Sequence, residues 1–273
     1  MQQKQNVKMV ELFGFFGALL IGIVLGLIGG GGSILTVPIF VYVLSIDPVV
    51  ATAYSLFVVG ATALVGTFRN LQKQIVDVRT GIVFSIPAFI AVYLTRKFLI
   101  PAIPDNVLVL DDFMVTKNAA IMIFFSMIML VAAYFMIKGR RNDIVGAGIQ
   151  KFNYPLIIVE GFVVGVLTGV VGAGGGFLII PALVLLANLP MKNAVATSLM
   201  IIAFKSLIGF LGDVQNIEID WTFLLSFTLL SVVGIFVGIY LSKYIEGVKL
   251  KKGFGWFVLF MGGYIIVNEL MLK

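Results

Sequence analysis

The sequence predicts an all-α polytopic membrane protein, built from two five-segment repeats in inverted topology. Three observations carry that expectation. The chain of 273 residues is 60% hydrophobic and 12% charged, far from the roughly 45–50% apolar and 25% charged of soluble domains, and its mean hydropathy is +1.13. Apolar runs separated by short polar links recur along its length. A glycine-rich break occurs twice. Gly26-Leu-Ile-Gly-Gly-Gly-Gly-Ser-Ile-Leu-Thr-Val-Pro38 and Gly169-Val-Val-Gly-Ala-Gly-Gly-Gly-Phe-Leu-Ile-Ile-Pro181 share glycine spacing and a terminal proline at a shift of 143 residues.

About 20 residues span a membrane as a helix, and the segments follow in order. The first is Val10 to Ile28, the second a short Ile34 to Ile46, the third Val49 to Phe68, the fourth Thr80 to Leu99 and the fifth Lys117 to Ile137. The pattern restarts with Tyr154 to Val171, a short Phe177 to Leu189, Ala194 to Leu211, Trp221 to Tyr240 and Phe254 to Leu270. Residues 1–137 thus form a first repeat, 138–153 a polar link and 154–273 a second repeat. Lys4 and Lys8 precede the first run, but no small-residue cleavage pattern follows, so it reads as a membrane helix and not a removed signal. The links, among them Ile100 to Thr116 and Lys138 to Asn153, are too short to hold a core.

Absence of cysteine and histidine removes disulfides, thiol chemistry, zinc sites and histidine proton relays. The net charge of +6 sits in short loops, where it sets orientation, so no nucleic-acid partner is expected. The same shift pairs Ala51, Ala53, Ser55 and Leu56 with Ala194, Ala196, Ser198 and Leu199, then Gly66 with Gly209, Gln72 with Gln215 and Asp77 with Asp220. Ala18, Gly22 and Gly26 match Gly161, Gly165 and Gly169, two ridges of small residues that let helices approach closely in lipid.

Each half holds five segments, so ten crossings would invert one half against the other. One side then receives Arg69, Lys73, Arg79, Lys138, Arg140, Arg141, Lys151, Lys192, Lys243, Lys249, Lys251 and Lys252, and the other Lys4, Lys8, Arg96, Lys97, Lys117 and Lys273. The positive-inside rule places both termini outside. A topology in which segments two and seven re-enter without crossing would divide these charges almost evenly and ranks second.

Segments two and seven are short enough to begin below the membrane surface, and irregular backbone at that depth must be buried or line a cavity. Because proline suits a helix's first turn and breaks its interior, part of Gly32 to Val37 and of Gly175 to Ile180 is expected to be extended. Free N–H groups at a helix start, backed by the helix dipole, suit an anion. A phosphate loop would need a lysine after the glycines and a dinucleotide fingerprint a preceding strand; neither is present.

Charges inside the segments are few. Lys205 is mid-segment, and its counterpart under the repeat is Thr62; an intramembrane charge costs about 2.5–3.5 kcal/mol and suggests function by default. Glu160 lies near a segment start, as an interfacial group or a partner for Lys205. Asp47, Asp213, Glu218 and Asp220 read as loop residues. Thr52, Ser55, Thr197 and Ser198 either bond back to their own helices or face the glycine breaks.

The doubled motif, each copy followed by Ala-Thr-Ala-Tyr-Ser or Ala-Val-Ala-Thr-Ser, resembles the sulfite exporter TauE/SafE family of bacterial and archaeal membrane proteins. The resemblance covers nearly the whole chain. It implies secondary transport of small sulfur-containing anions such as sulfite or sulfonates. Ser33 against Gly176, Tyr54 against Thr197, and Lys205 are departures within the pattern.

The expected protein is therefore a multi-pass cell-membrane transporter with no catalytic, cofactor or metal site, its direction and its coupling to a proton or sodium gradient left open. Its anion site is expected from the breaks (Gly30, Gly31, Gly32, Ser33, Gly174, Gly175, Gly176), from the hydroxyls of Ser55, Thr197 and Ser198, and from Lys205. Partners are the anion and the lipid bilayer, as monomer or homodimer. A passive anion channel, and a carrier of another carboxylate, a cation or a neutral solute, stay open as alternatives. An enzyme is disfavoured because no histidine, cysteine or close carboxylate pair is available.

Overall fold

The computed structural model describes residues 2–30, 32–110, 113–138, 154–172, 175–185, 189–242, 244 and 247–271. A helix lies on each apolar segment. In the first half these are α1 (Gln2–Ile28), α2 (Ser33–Pro38, continued by a π-helical turn Ile39–Val43), α3 (Pro48–Gln72) and α4 (Val78–Leu94). The α4 helix runs on through a π-helical turn Thr95–Leu99 into the short α5 (Ile100–Ala102), and α6 (Lys117–Lys138) follows. The second half holds α7 (Tyr154–Val171), α8 (Gly176–Leu185), α9 (Met191–Leu211), α10 (Trp221–Leu241) and α11 (Gly247–Met271). Five stretches are long and apolar enough to cross a membrane, Pro48–Gln72, Val78–Ala102, Lys117–Tyr134, Lys192–Leu211 and Trp221–Leu241. Shorter apolar helices occupy Gly14–Ile28, Ser33–Val43, Pro155–Val171 and Gly255–Glu269. The chain is a helical, polytopic membrane protein.

Three expectations need correction. The all-α expectation gains one exception, for the link from Ile100 to Thr116 contains an antiparallel hairpin of β1 (Asn106–Leu110) and β2 (Phe113–Thr116). Its runs Val107-Leu108-Val109-Leu110 and Phe113-Met114-Val115 are apolar and rich in strand formers, yet too short for a helix turn to repeat. Second, α2 and α8 begin at Ser33 and Gly176, so Ser33 to Val37 and Gly176 to Ile180 are helical and both prolines lie inside helices. Pro38 lacks an N–H and crowds the carbonyl four residues back. The helix responds by widening: the Leu44 N–H bonds the Ile39 carbonyl at 3.1 Å, a π-type span. Third, Arg96, expected at the end of the fourth segment and counted with the charges of one face, faces neither side. It is fully buried in the π-helical turn of α4, so it leaves the charge tally for either membrane face.

Two helix starts are capped alike. The Asp77 and Asp220 carboxylates accept the Thr80 and Phe223 N–H groups at 2.9 and 3.0 Å, and Asp47 caps α3 through the Val49 N–H at 2.9 Å. These loop carboxylates hold orphan donors of a first turn.

At the centre α3 and α9 pack antiparallel. Leu56 meets Gly209, Phe57 stacks near Phe210 with ring centres 5.0 Å apart, Gly60 meets Leu207 and Gly66 meets Leu199. Around this pair, α1 runs parallel to α10 and α7 parallel to α4. A Cβ on Gly22 would strike the Ser231 carbonyl, and one on Gly26 would lie 2.5 Å from the Ile235 carbonyl. In the other pair, a Cβ on Gly165 would strike the Ala88 carbonyl and one on Gly169 the Thr95 side chain. Gly22 on Ser231 and Gly165 on Ala88 are images under the 143-residue shift, as are Gly26 on Gly238 and Gly169 on Thr95. The small-residue ridges therefore serve backbone-to-backbone packing. Outer faces match too: Ile82, Ile86, Ile90 and Leu94 of α4 and their images Leu225, Leu229, Val233 and Val237 of α10 are all exposed, as lipid-facing side chains should be.

Candidate functional site

Both glycine breaks close a helix in the same way. After α1, Gly29 takes φ +82° and its N–H bonds the Leu25 carbonyl at 2.8 Å; after α7, Gly172 takes φ +68° and bonds the Thr168 carbonyl at 2.9 Å. This left-handed termination favours glycine. Each glycine is pressed against the central helix of the opposite half, Gly29 on Val195 and Gly172 on Thr52. The breaks also touch one another, since a Cβ on either Gly30 or Gly176 would overlap the other's Cα. Gly30, Gly32, Ser33, Gly175 and Gly176 are all buried, and the Ser33 hydroxyl donates to the Gly30 carbonyl at 2.7 Å. Gly31 and Gly174 lie outside the described residues.

The hydroxyls expected near the breaks have separate partners. Ser55 Oγ is buried with no hydrogen-bond partner, whereas its image Ser198 bonds back to the Val195 carbonyl at 2.8 Å. Thr197 accepts the Asp77 backbone N–H at 2.9 Å, and its image Tyr54 accepts the Asp220 N–H at 2.7 Å. The mismatched pair Tyr54 and Thr197 thus performs one task, tying the central helix of each half to the capped helix start of the other. Thr52 bonds back to the Val49 carbonyl at 2.8 Å.

Among the described residues, buried cations border the second break. Lys205 is fully buried on α9, and its Nζ donates to Thr168 Oγ1 at 2.6 Å. A Cβ on Gly175, itself left-handed at φ +69°, would come within 2.7 Å of that Nζ. Lys205 does not pair with Glu160, which is half-buried on α7, eight residues before Thr168 and so about 12 Å along the helix. One residue further along α7, the Gly169 carbonyl accepts Arg96 Nη1 at 3.2 Å. Arg96 Nη1 also donates to Thr52 Oγ1 at 2.9 Å, and its Nε to Asp213 Oδ2 at 2.6 Å. Arg96 and Asp213 form an ion pair with both side chains buried. Asp213, expected as a plain loop residue, lies in the turn after α9. Burial pushes its carboxyl up to about 6, against the opposing pull of the Arg96 guanidinium.

Arg96 and Asp213 escaped the sequence reading because both lie beside helix ends, where a charge ordinarily meets water. One signal was available: the apolar run Phe98-Leu99-Ile100 continues beyond Arg96, which keeps Arg96 inside a helix. Among the described residues no group of carboxylates is arranged to hold a metal ion. Two grooves, one lined by Ser85, Phe89, Met200 and Phe204 and one by Leu64, Thr67, Phe68 and Met200, open between lipid-facing side chains and away from the breaks.

The chain is 27% identical over 254 residues to a probable membrane transporter protein of Xylella fastidiosa (strain 9a5c), covering 90% of this chain and 91% of that one. It is 29% identical over 234 residues to the probable membrane transporter protein YunE of Bacillus subtilis (strain 168), covering 76% and 80%. No solved structure gives a significant match. The sequence profile of the sulfite exporter TauE/SafE family matches residues 14–265. With both glycine breaks and all the central helices inside that span, the chain belongs to the sulfite exporter TauE/SafE family of membrane transporters.

Proposed function

We propose that this membrane transporter moves a small sulfur-containing anion, sulfite or an organosulfonate, across the cell membrane by alternating access. The observation that carries the reading is the convergence at Gly175. The positive end of the α8 dipole and the buried Lys205 amine meet there, and two positive features in one apolar place favour an anion between them. Gly30, Gly31, Gly32, Ser33, Gly174, Gly175 and Gly176 would supply backbone donors, Ser55 its free hydroxyl, and Thr197 and Ser198 theirs on exchange of their present partners.

The same proposal has ten crossings and two inverted halves. Antiparallel packing of α3 against α9, and the exchange of α1–α10 for α7–α4 contacts under the repeat, support a two-fold relation with its axis across the helices. With Arg96 buried, the face holding Lys4, Lys8, Lys97, Lys117 and Lys273 is poorer still in positive charge than the face holding Arg69, Lys73 and Arg79. Both termini then lie outside. Because the chain has no cysteine, single cysteines placed near Gln72 and Gln215 report topology directly. Labelling from opposite faces is expected, and labelling from one face would sink the inversion.

Transport is tested by counterflow of labelled sulfite in proteoliposomes, under imposed proton or sodium gradients. Saturable exchange is expected, weakened in Lys205→Gln at unchanged expression. Strictly passive flux without saturable exchange would favour a channel, and unchanged flux in Lys205→Gln would remove that residue from the site.

A further inference from the structure

The Arg96 guanidinium is held on two of its three nitrogens. Nε is fixed by Asp213 Oδ2 at 2.6 Å, and Nη1 by Thr52 Oγ1 at 2.9 Å and the Gly169 carbonyl at 3.2 Å. Nη2 is buried and has no hydrogen-bond partner. A buried donor left unpaired is uncommon, and one on a charged group more so. Because the guanidinium is planar and rigid, pinning two nitrogens also fixes the direction of the third. The residues that pin it border the second glycine break: Gly172 rests on Thr52, and Gly169 follows Thr168, the partner of Lys205. Arginine keeps its charge under all ordinary conditions, so this place retains a cation whatever the state of the lysine. The first break has no equivalent, since the repeat sets Ile239 where Arg96 would be and Asn70 where Asp213 would be.

We propose that Arg96 is an oxyanion-binding residue of the transport site, its Nη2 donating to the anion while Asp213, Thr52 and Gly169 hold the rest of the guanidinium in place. The inference rests on the anion-transport reading above and adds two things to it: the group that recognises the oxyanion, and a single such site per chain. An oxygen-rich anion of the sulfite or sulfonate type suits a donor with two N–H groups on one nitrogen.

The test is the affinity of labelled sulfite for the purified full-length chain. Arg96→Lys keeps a cation for Asp213 but has only one nitrogen, so the free donor is lost while the ion pair survives. The double variant Arg96→Gln with Asp213→Asn removes both charges together and leaves no buried ion unpaired. Each is expected to melt near the wild type and to lose about tenfold or more in sulfite affinity, the usual worth of a charge-assisted hydrogen bond. Sulfite binding within about twofold of wild type in either folded variant would overturn the assignment and leave the transport reading standing. If Arg96→Lys does not fold, the double variant alone decides. Wild-type protein that binds neither sulfite nor an organosulfonate would overturn the transport reading, and this site with it.

Discussion

The first glycine break lies among neutral groups and the second among ions, although the two are built alike. Both end a helix on a left-handed glycine, Gly29 and Gly172, and both press that glycine on the opposite central helix. Between α3 and α10, Thr62 and Ser231 share a hydroxyl hydrogen bond of 3.0 Å. At the image positions stand Lys205 and Ala88, and the lysine turns instead to Thr168. Ile239 and Asn70 answer to Arg96 and Asp213. The matched glycine contacts of the two halves leave no room for added atoms, while side chains beside them differ between the halves.

This contrast can be broken at several points. The largest effect is expected from Arg96→Gln, which leaves Asp213 buried without its partner. A loss of about 3–5 kcal/mol is expected, against about 0.5–1.5 kcal/mol for Ile239→Val at the image position. Denaturation in detergent measures both, and equal losses would mean the charged pair has no special role.

Next comes pH. Asp213 titrates near 6 in the folded chain and near 3.9 when unfolded. A raised pKa means that its stabilising share is complete below about 4 and is lost as pH rises through about 6. Wild-type melting temperature should therefore fall across that window relative to Asp213→Asn. Parallel curves for the two proteins would contradict the burial assigned to this carboxyl.

The scaffold should respond symmetrically. Gly22→Ala and Gly165→Ala each force a Cβ against a carbonyl of the neighbouring helix and are expected to destabilise by a similar amount, about 1–3 kcal/mol. A tolerated substitution at one site and a damaging one at the other would break the equivalence of the α1–α10 and α7–α4 contacts. The smallest effects belong to the two ties across the halves. Tyr54→Phe and Thr197→Val each free one backbone N–H, at about 1 kcal/mol apiece, and thermal melts with both single variants and the pair would show whether the ties act independently.

Much of the scaffold was legible in the sequence because apolar length and glycine spacing are local signals. The bounds Tyr154–Val171 agree at both ends, and Lys205 stood out as the one charged residue between Lys192 and Asp213. The Arg96–Asp213 pair was not legible, because its members lie 117 residues apart beside helix ends, where charges usually face water. Helical geometry around Pro38 was misread for a different reason. Proline's local rule forbids a regular interior helix, but a π-type widening satisfies the chain without breaking it. The ties from Tyr54 and Thr197 end on backbone N–H groups, which carry no residue signature at all.

Both breaks meet at Gly30 and Gly176, and on the transport reading one anion per chain binds there, drawn by the charges on the second-break side. Equilibrium binding of labelled sulfite to the purified chain tests this central claim most directly. Saturation at one anion per chain, abolished by Lys205→Gln and unaffected by Thr62→Val, is the expected result. Saturation at two anions per chain, or undiminished binding in Lys205→Gln, would contradict it.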